Sequence, residues 1–161
     1  MSNFQKVVDF NTQFGVLEES SPFVSKTTIF DDDPATVKNA LALIQEEFDE
    51  LKDAIDEKDF VETSDALIDM VYVILGMSAR LGINFDEIFG LVHANNMSKL
   101  CKTEEIAKET VLHYKSDSRY DSVNWRIAPD NVHYVVYNKS TNKVLKSITW
   151  KPVDLRGALG V

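Results

Sequence analysis

Apolar side chains recur every three or four residues along most of the first 115 positions, which is the spacing of one face of an α-helix. Asp33 followed by Pro34 marks a helix start, since Asp accepts hydrogen bonds from the first turn and Pro fits the first helical position. Gly15 and Gly82 mark helix ends. Residues 15–33 carry no period and predict a surface loop. The pattern therefore predicts helices over residues 3–14, 34–55, 59–81, 85–100 and 103–114.

The third predicted helix has the sequence ALIDMVYVILGMSARL in its second half, apolar on almost every side, which predicts a central and buried helix. Farther on, VHYVVYN and VLKSITW are rich in β-branched and aromatic residues. A polar segment, residues 139–143, separates them and predicts a β-hairpin. The expected fold is all-α, with a four-helix-bundle core in a domain over residues 1–115. The C-terminal extension, residues 116–161, is expected to pack its hairpin on the same domain.

Charge and composition narrow the function classes. The formal net charge of the 161 residues is −9, so no nucleic-acid partner is expected, because such binders need an excess of Lys and Arg. A single cysteine, Cys101, excludes an internal disulfide framework. The N-terminal residues lack a secretion signal, and the longest apolar run, 70–79, is far short of the roughly 20 residues that span a bilayer. We therefore expect a cytoplasmic protein without a membrane partner.

Acidic residues lie at helical spacing on the second and third predicted helices, partly within the apolar segment. At about 100° per residue each set occupies one side of its helix, and a short connection makes the two helices antiparallel neighbours. Crowded carboxylates repel one another, and burying them is costly unless a cation compensates. Mg²⁺ or Mn²⁺, which prefer oxygen ligands, would resolve the conflict. The candidate ligands are Glu46, Glu47, Glu50, Glu62, Asp65 and Asp69.

Two other interpretations of these residues stay open. The segment EEFDELKD, residues 46–53, is typical of a solvated helix face. Asp65 is also able to hydrogen-bond with Thr63 or Ser64 instead of binding a metal. A solvated face does not account for Asp65 and Asp69 within an apolar segment, and this favours the metal-site hypothesis.

Three sequence blocks follow one another in order: E-E-x-x-E at residues 46–50, then DALIDMVYVILG, then FDEIFGLVHANNMSKL. Together they resemble the MazG-like superfamily of all-α nucleotide pyrophosphatases, and in particular its phosphoribosyl-ATP pyrophosphohydrolase-like branch. The superfamily's second motif, E-x-x-D, falls literally on Glu62 and Asp65. Aligned on the apolar run that follows, its aspartate falls on Asp69 and its glutamate position on Ala66. Asp65 and Asp69, one turn apart, are the preferred ligands, and Glu62 is the less favoured one.

The resemblance implies a four-helix MazG-like core and the hydrolysis of a nucleoside triphosphate between its α- and β-phosphates. The products would be a nucleoside monophosphate and pyrophosphate. Mg²⁺ is the implied cofactor, with Mn²⁺ as a substitute. Glu46 and Glu47 are the implied catalytic residues, as ligands or by positioning water, and the implied metal ligands are Glu46, Glu47, Glu50, Asp65 and Asp69.

The same resemblance implies contacts with the substrate away from the metal. Asn96 and Lys99 correspond to phosphate contacts, and Phe14, with Phe10, would stack on the base bound in a neighbouring subunit. Lys99 is equally typical of a cation at a helix C-terminus. Core packing of Phe10 and Phe14 is likewise the other interpretation of the two rings.

The implied role is control of the nucleotide pool or its housecleaning. One alternative is phosphoribosyl-ATP hydrolysis in histidine synthesis. Another, from a different class, is a metal-stabilised oligomeric interaction protein without catalysis. An apolar helical core with an added hairpin also predicts a homodimer or homotetramer that shares its active site.

Overall fold

The computed structural model describes residues 1–18 and 23–161, and within them the chain is mostly helical with one small sheet near the C-terminus. This confirms the predicted helix-rich fold with a C-terminal β element. The elements in chain order are α1 (Asn3–Gln13), α2 (Ile29–Asp32), α3 (Pro34–Glu57), α4 (Phe60–Arg80), α5 (Phe85–Met97), α6 (Glu104–Lys115), β1 (Val123–Ile127), β2 (Tyr134–Asn138), β3 (Lys143–Val144) and α7 (Arg156–Leu159).

Side-chain caps fix the starts of α3 and α4. The Asp33 carboxylate accepts a hydrogen bond from the Thr36 N–H at 3.1 Å, and Pro34 occupies the first turn, as the sequence predicts. Asp59 accepts from the N–H groups two and three residues later, at 2.9 and 3.1 Å. These bonds satisfy donors at the helix start that have no partner within the helix. Gly82 follows α4 with a φ of +71°, the left-handed conformation that its predicted role as a helix end requires.

Two regions depart from the predicted helices. The expected loop over residues 15–33 contains one helical turn, α2, and its residues 19–22 lie outside the described part of the chain. A single turn is too short to show a hydrophobic period. α5 ends at Met97 rather than near residue 100, because the N–H groups of Lys99 and Leu100 bond to carbonyls three residues back. Such bonds tighten the last turn and end an α-helix.

The chain divides into two compact units, and the first comprises residues 1–89 and 155–161. Within it α3 packs along α4, α1 packs on α4 and α2 packs on α3. The buried core joins Phe4 and Val7 of α1 to Leu75 and Ala79 of α4, all from the apolar stripes of those helices. A four-helix-bundle core stays a prediction.

The prediction that α4 is buried on all sides is wrong for the single chain. Its buried side consists mainly of small residues, among them Ala66 and Gly76. Large apolar residues on the rest of its surface remain open to solvent, and Ile68 is 66% exposed. The reason is that contacts with α1 and α3 cover only part of a helix that is apolar nearly all round. Within the described residues no single helix is long and apolar enough to span a bilayer. Helices α4 and α5 reach that length and apolar composition only when taken together, and they are bent by 111°.

The second unit comprises residues 90–154 and contains a three-stranded antiparallel sheet in the order β1-β2-β3. Trp125 lies opposite Val136, and Tyr137 lies opposite Val144. Helix α6 packs on β1 and β2. The core between them is formed by Cys101, Ala107, Val111, Val136 and Leu145.

The predicted hairpin is present as β2 and β3, with two differences. The second strand covers only Lys143–Val144, and soon after it the chain leaves β2, because the Ser147 N–H bonds to the Lys99 carbonyl at 3.2 Å. β1 was not expected, although its alternation of apolar and polar residues, VNWRI, is a strand signal. The boundary between the compact units does not fall at residue 115, since α6 packs on the sheet. The division into domains 1–115 and 116–161 stays a prediction.

Candidate functional site

The acidic residues of the candidate site lie on a helical hairpin formed by α3 and α4. Only Lys58 and Asp59 separate the two helices, and Lys58 adopts a left-handed φ of +59° that turns the chain. The helices pack along each other through buried alanines, Ala54 on α3 and Ala66 on α4. Small side chains at this interface leave room for the neighbouring carboxylates on both helices.

Glu47 is the centre of the cluster. Its Oε2 atom is buried and has no hydrogen-bond partner. Burial raises the pKa of the Glu47 carboxyl, and the negative charges of four neighbours raise it further, because both effects disfavour the ionised form. Those neighbours are, in decreasing order of influence, Glu50, Asp69, Glu46 and Asp65. The structure thus brings together the five residues preferred as metal ligands; their role stays a prediction.

A second group of carboxylates faces an open cavity of about 340 Å³ between the two helices. Glu50 and Asp65 belong to both groups, and Glu62, the less favoured ligand, also lies here. Asp53 and Glu57 were not anticipated, although both follow Glu50 at helical spacing, three and seven residues on, which is the signal that would have found them. The acidic lining consists of Glu50, Asp53, Glu57, Glu62 and Asp65.

The expectation that Asp65 and Asp69 are buried is wrong for the single chain. Both residues are exposed, as are their apolar neighbours Leu67 and Ile68. The apolar surroundings that predicted their burial therefore lie on the open side of α4. The unsatisfied buried oxygen belongs to Glu47 on the facing helix instead.

The cluster has little positive charge to balance it. Lys52 is the nearest lysine in sequence, and it pairs with the exposed Asp49 at 3.0 Å. Within the described residues, no ion pair involves Glu46, Glu47, Glu50 or the acidic residues of α4. In the same part of the chain no three His, Cys, Asp or Glu side chains converge closely enough to hold one ion. The carboxylates are near enough to repel one another without forming a closed ligand set.

An aromatic pocket continues along the same two helices. Phe14 is 71% exposed and stacks on Phe10 with ring centroids 4.3 Å apart, and Phe10 meets Tyr72 edge-on at 5.6 Å. The two phenylalanines are therefore not packed in the core of the single chain. Phe10 and Tyr72 line a cavity of about 110 Å³ with Leu43 of α3 and Arg80, whose buried Nε has no hydrogen-bond partner.

This pocket is one helical turn from the carboxylate cluster on both helices. Leu43 precedes Glu47 by four residues, and Tyr72 follows Asp69 by three. An acidic section and an aromatic section thus follow one another along the hairpin.

Asn96 and Lys99 belong to the second unit, where they contact each other. The Lys99 Nζ donates a hydrogen bond to the Asn96 Oδ1 at 2.7 Å. Beside them the Asn95 side chain donates to the Lys151 carbonyl at 2.7 Å, and the Trp150 Nε1 donates to the Asn95 carbonyl at 3.2 Å. This end of α5 is therefore held by the segment that follows the sheet. The substrate contacts predicted for Asn96 and Lys99 stay predictions.

Residues 7–96, more than half of the chain, match a family model described as phosphoribosyl-ATP pyrophosphohydrolase. The match includes α3 and α4 in full, with every candidate carboxylate. A protein of Acanthamoeba polyphaga mimivirus, named Uncharacterized protein L479, is 29% identical, and the alignment covers 93% of this chain and 92% of that protein. Similarity to the viral protein therefore extends past the family match into the second unit.

Proposed function

We propose that the chain, which belongs to the phosphoribosyl-ATP pyrophosphohydrolase family and so to the MazG-like superfamily of all-α nucleotide pyrophosphohydrolases, cleaves nucleoside triphosphates between the α- and β-phosphates. Water adds its oxygen to the α-phosphorus, and the bond from that phosphorus to the bridging oxygen breaks. The products are a nucleoside monophosphate and pyrophosphate. Control or housecleaning of the nucleotide pool is the proposed role.

The observation that carries the proposal is the set of carboxylates around Glu47. A buried oxygen without a partner, surrounded by four further negative charges, is unfavourable in the free protein. Such an arrangement is typical of a functional site rather than of a stabilising contact. It lies on the two helices that the family match covers in full.

The candidate ligands fit Mg²⁺ or Mn²⁺, because all of them are carboxylate oxygens. One of these oxygens, Glu47 Oε2, is buried and receives no hydrogen bond. Glu47, Glu50, Asp65 and Asp69 would hold the metal, and Glu62 lines the cavity that Glu50 and Asp65 also face. A bound divalent cation supplies charge neutralisation on the phosphates and a water of lowered pKa. Glu46, exposed beside Glu47, would accept a proton from the attacking water.

The aromatic section of the hairpin supports the proposal of a binding site for the nucleoside. Stacking of a base on Phe14 or Phe10 would cover rings that the free chain exposes. The Arg80 Nε–H, buried without a partner, is a donor that a carbonyl of the base or an oxygen of the ribose could satisfy. We propose that this pocket receives the base while the acidic section receives the phosphates.

We further propose a homodimer or homotetramer in the cytoplasm. On α3, Leu41, Phe48 and Ile55 are exposed apolar residues spaced by seven, so they share one face. Ile68 and Val71 are exposed on α4. An apolar surface of this kind is typical of a subunit interface. The free buried thiol of Cys101 is compatible with a reducing compartment.

Phosphoribosyl-ATP is the second candidate substrate, favoured by the description of the matching family. The two candidates share the bond that is cleaved, and phosphoribosyl-ATP differs by the phosphoribosyl group attached to its adenine. A panel of standard and modified nucleoside triphosphates, together with phosphoribosyl-ATP, should be assayed with Mg²⁺ by phosphorus NMR. We expect a monophosphate and pyrophosphate from at least one triphosphate. Inorganic phosphate as the first product, or cleavage of phosphoribosyl-ATP alone, would overturn the primary proposal.

A further inference from the structure

The second unit contains a basic cavity, and of its lining residues only Lys99 is among the substrate contacts predicted for the proposed reaction. Its volume is about 350 Å³, within the range of small-molecule sites. Four cationic residues and two tyrosines account for most of its lining: Lys99, Arg119, Lys143, Lys146, Tyr114 and Tyr120.

The charges around this cavity are only partly balanced. Arg119 pairs with Asp117, with Nη2 2.7 Å from Oδ2. In the described part of the chain, no carboxylate forms an ion pair with Lys99, Lys143 or Lys146. Four cations face one anion in a protein whose net charge is −9, so the excess of positive charge is local.

The cations are held by contacts that leave donors free. Two guanidinium nitrogens of Arg119, Nε and Nη2, bind Asp117, which leaves three of its five N–H donors without that partner. The Tyr120 ring lies between Arg119 and Lys143, with the guanidinium carbon 5.7 Å and the Lys143 Nζ 5.5 Å from the ring centroid. Tyr114 packs edge-on against Tyr120 at 5.4 Å and buttresses that ring. Arg119 and Lys143 are thus ordered before a ligand arrives, whereas the Nζ atoms of Lys99 and Lys146 contact Asn96 and the Trp150 ring.

We propose that this cavity binds an oligophosphate group, either free or as part of a nucleotide. A carboxylate carries one negative charge and would leave most of the excess unbalanced. A terminal phosphate carries about two negative charges near pH 7, and its several oxygens accept bonds from Arg and Lys together. A planar guanidinium beside separate ammonium groups is the usual donor set for phosphate chains.

The site is independent of the carboxylate cluster. All four cations lie outside residues 7–96, so the family match does not include them. The cluster is acidic and repels phosphates unless a metal is bound, whereas the basic cavity requires none. Inorganic tripolyphosphate has no base for the aromatic pocket, so its binding in the presence of a chelator reports on this site, and the result does not depend on whether the proposed hydrolysis is correct.

The experiment is a calorimetric titration of the full chain with inorganic tripolyphosphate in EDTA at low salt. A second titration uses ATP, whose phosphate chain has the same length. We expect tripolyphosphate to bind when it is titrated alone. We also expect it to compete with ATP when both are present. Tighter binding of ATP that Lys143→Gln weakens would assign the site to a nucleotide whose base contacts the tyrosines, and equal affinities would assign it to free oligophosphate.

Variants test whether the cavity is the binding site. Lys143→Gln and Arg119→Gln should each weaken tripolyphosphate binding about tenfold or more, as expected when a charge-assisted contact is lost. Lys139→Gln is the matched control, since Lys139 is exposed four residues away and does not line the cavity. It removes the same charge and should change the affinity less than twofold. Circular dichroism establishes that each variant is folded.

Three results would overturn the proposal. One is the absence of binding up to millimolar tripolyphosphate in the folded native chain. Another is an equal loss of affinity in Lys139→Gln, which would indicate unspecific attraction to the unit. The third is displacement of tripolyphosphate by a single-stranded oligonucleotide at a much lower concentration than by ATP, which would assign the surface to nucleic acid.

Discussion

The two compact units differ in their balance of acidic and basic residues and in how their carboxylates are paired. Residues 1–89 and 155–161 contain nineteen Asp and Glu against seven Lys and Arg, whereas residues 90–154 contain seven against ten. In the second unit, carboxylates of Glu104, Asp117 and Asp130 each pair with a nearby cation or imidazole. On the α3–α4 hairpin the carboxylates around Glu47 have one another as neighbours instead.

The difference separates charge that supports the fold from charge that awaits a ligand. A paired carboxylate is stabilised by its partner in the native state, whereas crowded carboxylates weaken it. Proteins keep locally unfavourable arrangements, such as crowded like charges, mainly at functional sites, where a bound ligand compensates for the cost. On this argument we propose that an external cation completes the hairpin. The excess cations of the second unit would correspondingly bind an external anion, as proposed above.

The largest effect expected from this difference between the units is the loss of activity in Glu50→Gln. Glu50 belongs to both carboxylate groups, and glutamine keeps its shape while removing one charge. We expect pyrophosphate release to fall at least about 100-fold, the loss typical of removing one electrostatic contact with a transition state. Asp49→Asn is the control, because Asp49 pairs with Lys52 outside the cluster and should keep most of the activity. Full activity of Glu50→Gln would remove the hairpin as the catalytic site.

The second prediction concerns the apolar surface beside the carboxylates. Ile68 is 66% exposed in the single chain, and we expect a second copy to cover it. Ile68→Glu should raise the dissociation constant of the oligomer at least about 30-fold, as for a central interface residue. Val132→Glu alters an apolar residue of similar exposure in the second unit and should leave assembly unchanged. Sedimentation velocity measures both, and a monomeric native chain would contradict the prediction.

The sequence predicted the first unit better than the second for physical reasons. α3 and α4 are long enough for several repeats of the apolar period, and their Asp33 and Asp59 caps are local signals. Strands β1 and β3 are short, so their register depends on packing against α6 and β2. Contacts between residues distant in sequence leave a weak local pattern.

The candidate site shows the same limit at the level of single residues. Helical spacing was sufficient to group the carboxylates, because it fixes which residues share a face. It did not reveal which one is buried, since burial depends on the partner helix. Asp69 lies among apolar residues in the sequence and is exposed, whereas Glu47 lies in an acidic segment and has the buried oxygen.

The third prediction is a stability test of Glu47 itself. Glu47→Gln should stabilise the metal-free protein by about 1 kcal/mol, since the amide removes the repelled charge and adds a donor. This corresponds to a rise of roughly 2–4 °C in melting temperature for a chain of this size. Mg²⁺ should raise the melting temperature of the native chain, because a ligand of the native state stabilises it by mass action. It should raise that of Glu47→Gln much less. Thermal melts with EDTA or Mg²⁺ give both values, and an unstable Glu47→Gln variant would show that Glu47 supports the fold.

The smallest expected effect is the acid response of the second unit. Hydrogen bonds from the backbone N–H groups of His133 and Val132, and then from the His133 ring, lower the pKa of Asp130 from 3.8 to about 2. A carboxyl whose pKa is lower in the native than in the unfolded state contributes stability above the unfolded value. That contribution is lost as the pH falls from about 4 to about 2. Asp130→Asn should therefore be less stable than the native chain at pH 7 and should lose less stability between pH 4.5 and 2.5.

A substitution of the imidazole separates the two causes of this shift. His133→Gln keeps the backbone donors, which are the largest influence on the Asp130 pKa, and removes only the ring. We expect it to retain most of the acid sensitivity of the native chain, whereas Asp130→Asn loses it. Thermal melts at a series of pH values, followed by the near-ultraviolet signal of Trp125 and Trp150 in the second unit, measure the slope for each variant. If His133→Gln flattens the slope as much as Asp130→Asn does, the ion pair rather than the turn's backbone stabilises the connection between β1 and β2.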